Sequence, residues 1–140
     1  MSRARWSDRG SAAVEMAIVA PVLLLMLMLV IYAGRATDAQ QQVQSAAHAA
    51  ARAASQHNDP GTAVAAARAA ARRNLSDGGI TCLNSRVTVA TGNLVPNGTV
   101  TVTVECNVRA GDLAMLRVTS AERHFQATVT EVVDRYRGEG

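Results

Sequence analysis

Few side chains in this sequence are of a type that binds a metal or moves a proton. His48, His57 and His124 are scattered, and His48 and His57 stand nine residues apart. On a helix only spacings of about three or four bring side chains together. Cys82 and Cys106 are the only cysteines. Without a CxxC pair or clustered histidines they make poor metal ligands. No HExxH, GxSxG, GxGxxG or phosphate-loop string occurs, and no Asp/Glu pair stands out for acid–base work. No enzymatic activity, metal or cofactor is expected. One acid differs from the rest. Glu15 is the single charge between Ser11 and Gly34, at the edge of an apolar run. A carboxylate entering lipid is costly enough to suggest a function. The alternative is that it snorkels to the interface in the first helical turn, helped by the helix dipole.

The element that positions Glu15 is the apolar run itself. From Met16 to Ala33 there are 18 residues and no charge. A helix from Ser11 to Ala33 would be roughly 35 Å long, enough to cross a hydrocarbon core of about 30 Å. Trp6 and Tyr32 flank it, where amphipathic rings prefer to sit. Arg3, Arg5 and Arg9 precede it, and a weaker positive flank, Arg35 then Asp38, follows. Positive charge stays on the cytoplasmic side. Residues 1–10 thus read as a basic cytoplasmic leader, 11–34 as a transmembrane helix and 35–140 as an extracytoplasmic domain. A cleaved secretory signal is the alternative. The run exceeds the usual apolar core of about 7–15 residues, and no convincing small-x-small cleavage site follows it. A retained single-pass anchor in a bacterial cell membrane is expected.

Composition agrees. The chain has 140 residues, 49% hydrophobic but only 3% aromatic. What remains outside the membrane makes a small core rich in Ala and Val, which leaves little room for a deep catalytic pocket. It is too apolar for disorder. The net charge of +3 comes entirely from Arg on the basic side. No Arg cluster is interleaved with stacking aromatics, so nucleic acid is not an expected partner.

The string Arg9-Gly10-Ser11-Ala12-Ala13-Val14-Glu15-Met16-Ala17-Ile18-Val19-Ala20-Pro21 resembles the start of type IV pilin-like precursors. More narrowly, with the Val22-Leu23-Leu24-Leu25 that follows, it resembles the TadE-like family, minor pilins or pseudopilins of the tight-adherence (Tad, Flp-type) pilus. The resemblance covers about residues 9–35. It implies a prepilin peptidase that cuts after Gly10, making Ser11 the first mature residue and Glu15 the fifth. The family usually has an aromatic residue after that Glu; this chain has Met16. The residue types suit the chemistry. Gly10 lets an extended leader enter a protease cleft without a side chain. The new α-amine of Ser11 would be mostly protonated at neutral pH. Glu15 of one subunit could pair with the amine of another, which sets register more securely than it adds stability. Pro21 lacks an N–H and would kink or loosen the span, although membrane helices tolerate Pro in any case.

Helical spacing continues past Gly34. Ala36, Ala39, Val43, Ala46, Ala50 and Ala53 recur at threes and fours, with Arg35, Asp38, Gln41, Gln42, Ser45, His48, Arg52 and Gln56 opposite. One long helix is predicted from about Ala12 to His57. Its small-residue seam suits close packing, on the chain's own domain or between subunits. Asn58-Asp59-Pro60-Gly61 breaks it, and Asp59 with Pro60 starts a second helix to about Leu75. Alternation predicts strands over 86–89, 99–108 and about 121–133, with a turn-rich connection at 91–98 and a short helix over Asp112–Arg117. The fold class is α+β, a long N-terminal helix and a second helix against a small antiparallel sheet, as the pilin resemblance also implies. Cys82 and Cys106 both fall on the outer side, where oxidising conditions favour a disulfide. Cys82 is out of phase with Val87 and Val89, so it belongs in a loop or beside a bulge.

The sequence thus points to a membrane-anchored TadE-like pseudopilin or minor pilin. Its expected partners are the membrane, a prepilin peptidase and other pilin-like subunits with their assembly machinery. The alternative is a single-span protein whose outer domain binds a ligand or partner.

Overall fold

The computed structural model describes residues 8–111 and 121–133. Helix α1 spans Asp8–Ser55 and helix α2 spans Pro60–Asp77. Three strands follow, β1 Asn84–Ala90, β2 Thr99–Arg109 and β3 Glu122–Val132. They form one antiparallel sheet in the order β1-β2-β3. The architecture is the expected α+β arrangement. The short helix anticipated over Asp112–Arg117 lies outside the described residues. By internal contacts the chain divides into two units, Met1–Gly34 and Arg35–Gly140.

In the second unit the core is almost entirely Ala and Val. From α1 it takes Ala39, Val43, Ala46, Ala47, Ala50, Ala51 and Ala54; from α2 it takes Ala63, Ala67, Ala71 and Leu75. From the sheet come alternate residues, Val100 to Val108 with Cys106 among them, then Phe125, Ala127, Val129 and Val133. The seam on α1 is wider than the spacing predicts. It gains Ala47, Ala51 and Ala54, while Ala36 and Ala53 stay part-exposed. A helix covered on two sides buries a broad stripe rather than the narrow seam of a two-helix contact. The seam is therefore filled within the chain, not held open for a neighbour.

Local chemistry explains the element ends. The Asp59 carboxylate accepts from the Thr62 N–H at 2.8 Å, and the Thr62 hydroxyl donates to the Asp59 carbonyl at 2.9 Å. With Pro60 at the first position, this is an N-cap that fixes where α2 starts. At the other end the Asn74 carbonyl accepts from the Gly78 N–H at 3.1 Å and from Gln42 Nε2 at 2.7 Å, so a residue of α1 adds a second donor to the last turn of α2. Gly78 follows, packed so tightly on Gln42 that an added Cβ would overlap its side chain. Before β2, Val95-Pro96-Asn97-Gly98 closes a turn through Gly98 N–H to the Val95 carbonyl at 2.7 Å. Asn97 takes the left-handed φ of 65°, which suits Asn at the third position of a Pro-led turn.

The Cys82–Cys106 disulfide is formed, with Cα atoms 5.4 Å apart. Cys82 lies in the irregular segment before β1, as its phase implied. A loop of this length contributes roughly 3 kcal/mol in the chain-entropy model. The Ala core allows one direct test. Ala50→Leu should destabilise the second unit by about 1–3 kcal/mol, because the site has no room for added methylenes. Ala65→Leu, on the exposed side of α2, should stay within about 0.5 kcal/mol. Urea unfolding of the full chain in detergent measures both.

Candidate functional site: the exposed apolar helix

The first half of α1 has the opposite character to the second. Every residue from Ala12 to Val30 is exposed in the chain, including Met16 and Leu25 at 71%. Among the described residues this is the one helix long and apolar enough to cross a membrane. Its apolar window has none of its surface buried by the rest of the chain. A core helix of a soluble domain passes the same length and composition test, but it would be covered. So much contiguous exposed apolar surface marks a contact with lipid or protein.

Along this helix the candidate residues fall on two sides. At 3.6 residues per turn, Ala13, Ala17, Ala20 and Pro21 share one face. Glu15 is exposed on the opposite one, the single charged side chain of the segment. The helix passes through Pro21 without ending. Having no N–H, Pro21 leaves the Ala17 carbonyl without its usual donor, which loosens the helix on its small-residue face. The peptide bond between Gly10 and Ser11 lies in the first turn of α1, in helical backbone. Entry into a protease cleft in extended form therefore requires that first turn to unwind. Unwinding gives up only the few hydrogen bonds accepted by the first-turn carbonyls, since the leading N–H groups of a helix have no intrahelical partners.

In the second unit the polar side chains serve position. Gln40 donates from Nε2 to the Gln126 carbonyl at 3.0 Å, tying α1 to β3. His124 Nδ1 lies 2.7 Å from Asn107 Oδ1 across β2 and β3. His48 Nδ1 approaches Glu131 at 3.9 Å, with both side chains well exposed, a pair worth little. His57 joins neither contact. Among the described residues no three His, Cys, Asp or Glu side chains come together as a metal would need. The glutamine contacts escaped the sequence reading because they join segments far apart in the chain.

The long helix is similar to a known family over most of its length. Residues 10–52 match the family model described as TadE-like protein. The match begins at Gly10 and ends three residues before α1 does, so it covers both the exposed and the buried half of the helix and none of α2 or the sheet. No curated protein and no solved structure is detectably similar to the chain.

If lipid covers the exposed half, Leu23→Arg near its middle should raise the cost of insertion by about 2.5–3.5 kcal/mol. The membrane-retained fraction after alkaline extraction should then fall sharply. Unchanged retention would mean that the segment is covered by something other than a bilayer.

Proposed function

From this TadE-like helix we propose that the chain is a non-enzymatic, single-pass pseudopilin or minor pilin of a Tad-type pilus or related secretion apparatus. The observation that carries the reading is the division of one TadE-like helix into two halves. One is wholly exposed and apolar, and the other is buried in its own domain. That is what a subunit needs if it is held in a membrane by one end of a helix and carries a folded domain on the other.

Orientation rests on two independent supports. Arg3, Arg5 and Arg9 precede the span, which favours a cytoplasmic N-terminus. The Cys82–Cys106 bridge belongs to an oxidising compartment, which favours the outer side for the domain. In this reading a prepilin peptidase removes the leader after Gly10, once the first turn of α1 has unwound. Ser11 then carries a free α-amine four residues from Glu15. Within one chain both groups face lipid or headgroups. Between chains, the carboxylate of one subunit meets the amine of the next and sets the stagger of neighbouring helices. Pro21 loosens the helix just beyond that contact, so the end bearing it can adjust during docking.

The N-terminal mass of the protein recovered from membranes tests processing. It should begin at Ser11 in cells that hold the matching peptidase, and Gly10→Ala should leave the leader attached. An intact leader in the unaltered protein sinks the processing step. Glu15→Ala should be cut and inserted normally yet lose incorporation into assembled complexes. Normal incorporation would remove the role given to Glu15.

A further inference from the structure

The Cys82–Cys106 bridge joins two sulfurs in unlike settings. Cys106 lies within β2 and is wholly buried. Cys82 is part-exposed and lines an open groove of about 400 Å³ with Arg72, Ser76, Ile80 and Ser85. The neighbouring strand is also unusual. None of the seven residues of β1 is buried, whereas β2 and β3 bury alternate side chains. β1 is held by its ladder to β2, from Asn84↔Asn107 to Ala90↔Thr101, and by partial cover of Val87 and Val89. At its entry it is held by the disulfide, beside the Ser85↔Cys106 pair.

We propose that Cys82 is the thiol–disulfide exchange site of this domain, and that the bridge is a latch on β1. The partner is a protein dithiol or disulfide that reaches Cys82 through the groove. Its thiolate attacks Cys82 Sγ, forming a mixed disulfide and expelling Cys106 as a thiolate, which takes the proton of the partner's second thiol. That second sulfur, now a thiolate, displaces Cys82, which takes a proton from water, and closes a disulfide on the partner. Two electrons and two protons pass to the chain, which ends with two thiols. Oxidation runs the same steps backwards, so Cys82 also receives the bridge from an oxidant disulfide. Attack on Cys106 Sγ is closed by burial. Arg72 in the groove favours an approaching anion. With Arg68 and Arg73 also exposed on α2, it favours an acidic surface around the partner's dithiol. Once the bridge opens, β1 has no buried side chain to retain it and detaches, while β2 and β3 stay paired through their buried Val, Ala and Phe side chains.

The full chain in detergent, treated with excess reduced glutathione, quenched in acid and mapped by peptide mass, tests the site. The adduct should fall on Cys82, in roughly tenfold or greater excess over Cys106. Equal labelling, or an adduct chiefly on Cys106, overturns the assignment. Hydrogen exchange tests the latch. After reduction, amides of residues 84–90 should lose protection by roughly tenfold or more, while β2 amides paired with β3 keep theirs. The Cys82→Ser variant, which leaves Cys106 in the core, should show the same pattern without reductant. Loss of β3 protection together with β1, or protection of β1 unchanged in both experiments, overturns the latch.

Discussion

Seven Ala and Val side chains of α1, from Ala39 to Ala54, have essentially no surface exposed to solvent. Side chains so short let backbones approach closely, and the α+β domain is organised around that approach. Each buries little area, so hydrophobic gain per residue is modest. The domain compensates with specific ties. Gln42 reaches the end of α2, Gln40 reaches β3, and a disulfide joins the segment before β1 to the central strand. Among the described residues Phe125 is the single aromatic side chain in this core. A larger residue in the seam would push the helices apart and break the glutamine contacts with them.

The sheet shows the same economy. Its inner face is Val-rich, and on its outer face threonines pair hydroxyl to hydroxyl across β2 and β3, Thr101 with Thr130 and Thr103 with Thr128, each at 2.9 Å. Such cross-strand pairs steady an exposed sheet face at modest individual gain. β3 is an edge strand, and it carries Arg123 and Glu131 in its inward phase near its two ends. Charges placed there discourage another strand from extending the sheet along that edge.

Much of this was legible in the sequence, because periodicity and turn chemistry are local signals. The apolar run, the Asp59-Pro60 start of α2 and the alternation from Thr99 to Val108 each specify an element without reference to anything distant. The disulfide was readable because two cysteines allow one pairing. The breadth of the α1 seam was not, since spacing marks the centre of a buried face and only the neighbours determine its width. Nor were Gln40 and Gln42 distinguishable from other polar residues on the exposed side of the helix. Their roles come from segments that meet only after folding. The candidate processing site was legible as a string, but a resemblance of residue types says nothing of backbone shape, and α1 begins before Gly10.

Gly78 carries a consequence for how this domain can change. Its backbone is ordinary, with φ of −75° and ψ of −2°, so any residue could adopt the conformation. Only the Gln42 side chain excludes a Cβ there. The glycine is thus an obligation imposed by another helix, and the order in which the two positions mutate matters. Shortening Gln42 first frees Gly78 to vary, whereas changing Gly78 first forces Gln42 off the Asn74 carbonyl, which then keeps only the backbone N–H of residue 78. Lineages that take the first path can lose the glycine without harm. Those that keep the glutamine stay bound to it.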